Sequence, residues 1–272
     1  MKKYIYVWCS GFSLLLLMPY LAVILINGVK TAFLNRTPDK ETFLPVIVAD
    51  QIDEKNQAET ICAQSVIART NLYRKLEDGE NLPEILRERD ADPVEILTGA
   101  VSRKYILAVE KTRGKILTCD GELKLVPYHE ISSGKTRDGA EAFHDEKYTY
   151  LKSVDSTEDR TAEKYLTAVY IAEGQLPQEF KISKRDQAGY VTELLADGNT
   201  LEGENFRQGM NLASGNFSLQ KTGDQYRFLC KGQGHGLGFS QYGGNELAKN
   251  GSNWEELLEK YFPAMEIAEV NF

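Results

Sequence analysis

Residues 232–244 read GQGHGLGFSQYGG, a glycine-rich stretch that carries side chains able to do chemistry. Glycines alternate with His235, and Ser240, Gln241 and Tyr242 follow closely. Glycine lets backbone amides approach a ligand, while polar side chains among the glycines can address hydroxyl and amide groups. A polysaccharide bearing N-acetyl groups suits such a loop. A phosphate-binding loop does not, because the stretch lacks a Gly-Lys-Ser/Thr ending. The glycines fall at 232, 234, 236 and 238, a spacing that fits no register of the dinucleotide pattern GxGxxG. Only 28 residues follow Gly244, too few for a βαβ unit. The plain alternative is a tight turn whose glycines supply positive φ.

Other groups with metal or redox potential are scattered. His129, His144 and His235 are the three histidines; Cys9, Cys62, Cys119 and Cys230 form no CxxC pair. That spacing excludes a zinc ribbon and selects no disulfide, so the thiols read as reduced or inert. The balance of 40 Asp and Glu against 32 Lys and Arg gives no reason to expect nucleic acid as a partner.

The elements that position these residues begin with a membrane segment. Residues 4–27 carry no charge, and a helix of that length spans a hydrocarbon core of about 30 Å. Lys2 and Lys3 precede it, which favours a cytoplasmic N-terminus and an exported body. The run is longer than the apolar core of a cleaved signal peptide, and "LINGVKTA" is a poor cleavage site. The expected organisation is a membrane anchor over 1–27, a tether over 28–43 and a folded domain over 44–269.

Within that domain, residues 54–77 predict a helix whose buried stripe is Ile61, Ser65, Ala68, Leu72 and Leu76. Residues 104–127 have a strand-like texture, with a hairpin turn at Asp120-Gly121. The polar stretch 129–147 reads as a functional or mobile loop. "TAEKYLTAVYIAEG" has helical spacing with a stop at Gly174, and 179–196 reads as two strands around Gly189. A short helix follows at "GENFRQGMNL", then a hairpin turning at Thr222-Gly223-Asp224, then a helical stretch from Gly244 to Pro263. The fold class is α+β: antiparallel hairpins and several helices form one groove-bearing body, preceded by the N-terminal transmembrane helix.

The motifs, taken in order, resemble a known family. "AETICAQSVIART" (58–70) is similar to a helix ending AQAVAART, and "HEISSGKT" (129–136) to an SSSGGRT-like stretch. "YLKSVDS", "ISKRDQAGYVTEL", "NFS", "GHGLGFSQYGG" and "YFPAMEI" continue the likeness over residues 43–269. The chain is thereby identified as a member of the stage II sporulation protein D (SpoIID/LytB) family.

The resemblance implies a membrane-tethered protein acting on the cell wall as a lytic transglycosylase. Such an enzyme cuts peptidoglycan between N-acetylmuramic acid and N-acetylglucosamine. One carboxylic acid protonates the leaving oxygen and the sugar's 6-hydroxyl attacks, leaving a 1,6-anhydro end. Hydrolysis, in contrast, normally uses two carboxylates. The family's catalytic glutamate precedes the AQAVAART helix. Counted back without gaps from Ala63-Gln64, its position falls on Gln51, and a shift of one residue puts Asp50 there.

A glutamine amide cannot act as a general acid, whereas an aspartate can. Two functions therefore stay open: a transglycosylase using Asp50, or a non-catalytic glycan binder or amidase enhancer retaining Gln51 as a hydrogen-bonding group. Asp53, Glu54 and Glu59 read as helix-start acids placed for the dipole. By the same resemblance Arg69, His235, Ser240, Gln241 and Tyr242 are expected to bind substrate. Some members bind zinc through a His and two Cys near "HEISSGKT". This chain keeps His129 but has no cysteine between 120 and 229, so no metal and no cofactor are expected. Expected partners are peptidoglycan glycan strands, the membrane, and other cell-wall hydrolases or sporulation proteins. The expected location is a single-pass cell membrane protein with its C-terminal domain extracytoplasmic.

Overall fold

The computed structural model describes Met18 and residues 40–87 and 101–270. The predicted membrane segment therefore lies outside the described residues, Met18 apart; among those described, no helix is long and apolar enough to cross a membrane. The chain divides after Thr42, and Phe43–Phe272 is one compact unit. Its architecture is α+β, with small sheets that are mostly antiparallel.

Helix α1 (Lys40–Gln51) carries Pro45 inside it and ends at the residue expected to replace the family's acid. A turn at 53–56 leads to α2 (Ala58–Glu77), the central element. Every residue from Thr60 to Thr70 is buried. The predicted single stripe is thus a corrected expectation: α2 is buried on all sides over three turns. It can be, because small and neutral residues (Ala63, Ser65, Ala68, Thr70) let neighbours approach from every direction. Those neighbours are α4 (Arg103–Lys111), strand β1 (Lys115–Cys119), α7 (Gln241–Lys249) and α8 (Trp254–Tyr261). A short α3 (Leu82–Arg87) also packs on α2.

The strand-like reading of "YILAVEKT" is overturned. Those residues belong to α4, which is N-capped by Ser102 and buries Tyr105, Ala108 and Val109 at i, i+3 and i+4. The Asp120-Gly121 hairpin holds: both residues have positive φ, as a type I′ turn requires, and join β1 to β2 (Glu122–Leu123). Strand β11 (Glu266–Glu269) pairs with the other edge of β1.

A second core lies among the later strands. "TAEKYLTAVYIAEG" is not helical: β4 (Leu166–Ala172) pairs antiparallel with β9 (Gln225–Lys231), which also pairs with β8 (Phe217–Thr222). Helical spacing in that segment is coincidental, since its β-branched and aromatic residues fit the pleated ladder. The predicted hairpins are present, with β5 (Phe180–Arg185) and β6 (Val191–Ala196) around Gly189 and β7 (Asn199–Glu202) added. Phe180, Phe217 and Phe228 cluster with Phe206 of the short α6 (Gly203–Gly209). The final helical stretch is two helices, α7 and α8, separated at Gly251, where φ is +104°.

Between the cores runs the segment read as a loop. It is hydrogen-bonded throughout: β3 (Tyr128–His129) pairs in parallel with β10 (Phe239–Ser240), and Ile131, Lys135 and Arg137 make bridges. It also contains α5 (Gly139–Phe143), N-capped by Asp138.

Candidate functional site

Three glutamines interlock where α1, α2 and α7 meet. Gln64 is fully buried on α2, and its Nε2 donates to Gln51 Oε1 at 2.7 Å. Gln241, the first residue of α7, donates from Nε2 to the Gln51 carbonyl at 2.7 Å and to Gln64 Oε1 at 3.2 Å. Gln51, 9 % exposed, is therefore held at its side chain by Gln64 and at its main-chain carbonyl by Gln241.

Gln51 and Gln241 of this cluster line an open cleft of ≈ 410 Å³. Asp50, Asp53 and Asn56 line one side, Glu130 and Ile131 another, with Tyr242 beside Gln241. Asp50, Asp53 and Glu130 are exposed. Asp53 is not a helix-start acid. Its carboxylate accepts from Lys55 N at 2.8 Å in the turn before α2, whose first turn begins at Ala58. The Tyr242 amide donates to the Glu130 carbonyl at 3.0 Å, tying the wall to the start of α7.

The remaining expected site residues go elsewhere. Arg69 is fully buried and lines neither this cleft nor the one described next. Its guanidinium donates to the Val109 and Lys115 carbonyls, each at 3.1 Å, and to Thr112 Oγ1 at 3.3 Å. It closes the C-terminus of α4, a structural task that leaves no path to a substrate.

Ser240 is fully buried as well. It N-caps α7 by accepting from Gly243 N, and it donates to Asp159 Oδ1 at 2.7 Å. Asp159 also accepts from Ser132 N at 2.9 Å, and Ser156 and Tyr261 hydroxyls meet at 2.6 Å beside it. Burial pushes the Asp159 carboxyl up from its ordinary value, against the hydrogen bonds that hold it down. This network joins the "ISSG" segment to the start of α7.

His235 lines a second cleft of ≈ 690 Å³, with Tyr128, Arg137, Phe143 and Glu204. Leu237 explains its pose. The Leu237 amide donates to His235 Nδ1 at 3.1 Å, and the Leu237 carbonyl faces His129 Nδ1 at 2.9 Å, so that nitrogen of His129 carries the proton. The two rings lie 5.9 Å apart. Burial holds His129 down at about 4, and burial together with His129 holds His235 there as well. Both are neutral at neutral pH.

The glycines between them are steric requirements. Gly236 and Gly238 have φ of +77° and +67°, and a Cβ would strike the Tyr190 ring or the Pro127 carbonyl. Tyr190 is itself buried, accepts from Ser133 N at 3.1 Å and lies under Arg137, whose Nε meets Asp186 at 2.5 Å.

The structure thus gathers Asp50, Gln51, Gln241 and Tyr242 on one cleft, buries Arg69 and Ser240, and sends His235 to another. Sequence reasoning passed over Gln64, Asp53, Asn56 and Glu130 as site residues. Gln64 lay inside a quoted motif, but Glu130 had no signal beyond its neighbour His129. Among the described residues, no group of three His, Cys, Asp or Glu converges as metal ligands would, and Cys62, Cys119 and Cys230 are free thiols.

Residues 30–119 match the family model "Stage II sporulation protein". The chain is 26% identical over 257 residues to stage II sporulation protein D of Bacillus subtilis, covering 85% of this chain and 75% of that one. It is similarly 26% identical to stage II sporulation protein D of Bacillus amyloliquefaciens, covering 74% of it. An uncharacterized protein of Brachyspira hyodysenteriae is 23% identical over 249 residues, covering 85% of this chain and 67% of its own. The chain is thus similar to stage II sporulation protein D, by the family model over residues 30–119 and by the two Bacillus relatives.

Proposed function

We propose that this protein is a membrane-anchored cell-wall protein that holds peptidoglycan glycan strands in the Gln51 cleft without cutting them through the family's acid position. The observation that carries the reading is the Gln64–Gln51 hydrogen bond of 2.7 Å. At the position where the resemblance expects a proton donor, the side chain is an amide, held by the Gln64 amide, which Gln241 bonds in turn. An amide can donate a hydrogen bond to an acetamido carbonyl or a sugar hydroxyl, but it cannot protonate a leaving glycosidic oxygen. The apolar run 4–27 supplies the anchor that keeps the body beside the wall.

A second reading rests on Asp50, which lines the same cleft one residue away. In it, the Asp50 carboxyl protonates the glycosidic oxygen and then, as a base, takes the proton of the attacking 6-hydroxyl. A shorter side chain must bring the sugar closer, and a misplacement of about 1 Å costs on the order of a hundredfold.

The two readings separate in a digest. The protein, Asp50→Ala and Gln51→Glu are incubated with intact and peptide-stripped peptidoglycan, and mass spectrometry follows 1,6-anhydro-muramyl ends. The glycan-holding reading expects strand binding by pull-down, no anhydro ends from the parent, and such ends from Gln51→Glu. Anhydro ends from the parent that disappear in Asp50→Ala would replace it with the transglycosylase reading.

A further inference from the structure

Strand β4 is a sheet edge. Among the described residues it pairs with β9 on one side, and no strand pairs with its other side. An open edge presents unpaired N–H and C=O groups to any chain that can align with it, and proteins usually protect such edges with charge, proline, a bulge or short length. The other described edge strands of four residues or more follow that rule. β5 carries Lys181, Lys184, Arg185 and a register shift, β7 ends on Glu202, β8 carries Lys221, and β11 begins and ends on glutamate. β4 is the longest of these edges and reads LTAVYIA, with no charge and no proline. Its register with β9 runs unbroken from Leu166 to Ala172.

The paired side of β4 fixes the geometry of the free side. Gly232 N donates to the Tyr165 carbonyl at 2.7 Å, and Glu173 N donates to the Asp224 carbonyl at 2.9 Å. The odd-numbered residues of β4 therefore turn their backbone groups toward β9. Backbone groups alternate in direction along an antiparallel strand, so those of Leu166, Ala168, Tyr170 and Ala172 point to the open side. The side chains of the same four residues share one face of the sheet, and all four are exposed. Leu166 is 54 % exposed and Tyr170 55 %. Next to them on that face, β9 presents Lys231, Arg227 and Gln225, with Leu229 among them. A body lying across the face would meet those cations. A strand added to the edge meets the apolar stripe.

We propose that the occupant of this edge is β4 of a second copy, paired antiparallel about a two-fold axis at Val169. The strand complements itself in that register. Leu166 falls opposite Ala172 of the second copy and Tyr170 opposite its Ala168, so each large side chain on the outward face meets a small one. These are the positions whose backbone groups point outward, and the whole strand is used, giving about eight ladder hydrogen bonds. On the inner face Thr167 meets Ile171 and Val169 meets Val169, all of them β-branched residues suited to a ladder. The product is one continuous sheet with three strands from each copy. An unrelated strand finds the same backbone groups without this match of sizes.

The test uses the full chain in detergent. Val169→Cys sets two cysteines face to face at a non-hydrogen-bonded pair, where the Cα atoms lie about 4.5 Å apart and within reach of a disulfide. Mild oxidation should convert this variant to a covalent dimer, with the parent chain as the blank. Leu166→Cys should stay monomeric, because its two copies sit about 20 Å apart in this register. Tyr170→Lys, at an exposed position, should abolish the Val169→Cys cross-link. On its own it should raise the dimer dissociation constant measured by sedimentation about a hundredfold, about tenfold for each of the two Tyr–Ala pairs. If Val169→Cys does not keep the melting profile of the parent, sedimentation of the parent and Tyr170→Lys decides alone. Equal cross-linking of Val169→Cys and Leu166→Cys overturns the proposal, and so does a dimer that Tyr170→Lys leaves intact. A parent that sediments as a monomer at every concentration overturns it too, and hands the edge to a strand of another protein.

Discussion

Two clefts flank the β3–β10 ladder, and they differ in what fixes their shape. The first is lined by the neutral amides Gln51 and Gln241, both bonded to the buried Gln64 behind them. The second is walled by charged groups, most of them paired outside the lining, around a neutral imidazole. An amide floor can orient a neutral sugar and has no proton to give. The comparison teaches that motif residues adjacent in sequence serve different neighbourhoods: His235 and Gln241 are six residues apart and face different clefts.

The sharpest way to break the contrast is at the first floor. Gln51→Glu is nearly isosteric, and the Gln64 amide that now donates to Oε1 would donate equally to a carboxyl oxygen. The substitution should raise anhydro-end formation by on the order of 10²–10⁴-fold, the usual contribution of a positioned general acid. If product mass spectra of Gln51→Glu match the parent, the amide cluster is not a disabled catalytic cradle.

Arg69 tests whether the buried motif residues are structural. Arg69→Ala leaves the Val109 and Lys115 carbonyls without their donor, and should lower unfolding free energy by about 3 kcal/mol or more. Urea titration measures that loss, while strand binding per folded molecule should not change. A binding defect in folded Arg69→Ala would return Arg69 to the substrate site.

His129 sharpens the contrast through pH. Its imidazole is held at about 4 in the fold against an ordinary value near 6.5, so the unfolded chain takes up the proton first. The stabilisation is present above pH 6.5 and is lost as pH falls toward 4, by on the order of 3 kcal/mol. His129→Gln should flatten the stability curve over that window; a parallel curve would mean that the imidazole is not buried in solution.

Asp159 has the opposite sign and a smaller effect. Its carboxyl is raised by burial, so ionisation costs more in the fold, and stability falls as pH rises from about 4 through the raised value. Asp159→Asn should remove that dependence and, by setting an amide donor or a weaker acceptor against the Ser132 N–H, cost about 1–3 kcal/mol at neutral pH. Denaturation curves at several pH values separate the two.

Local chemistry was sufficient where the cause is local. Asp120-Gly121 predicts its hairpin because both positions need positive φ, and the Gly223 turn and the α6 segment read correctly for similar reasons. The order of motifs was also legible, and with it the likeness to stage II sporulation proteins found over residues 30–119. Periodicity failed where tertiary packing chose. "YILAVEKT" became a helix because α2 offers a face for Tyr105, Ala108 and Val109, and "YLTAVYIA" became a strand because β9 offers a ladder.

The roles of the motif residues were decided only by three-dimensional neighbours. Arg69 and Ser240 carry groups suited to sugar recognition, but the fold surrounds them with unsatisfied carbonyls and a buried carboxylate, and those partners claim them. Gln64 stood in the sequence only as part of a motif, and its role appears where α1 and α7 bring Gln51 and Gln241 against it. Residue type and order set what each group is able to do. Which partner it meets depends on contacts between residues as far apart as 51 and 241, and no pattern along the chain encodes such contacts.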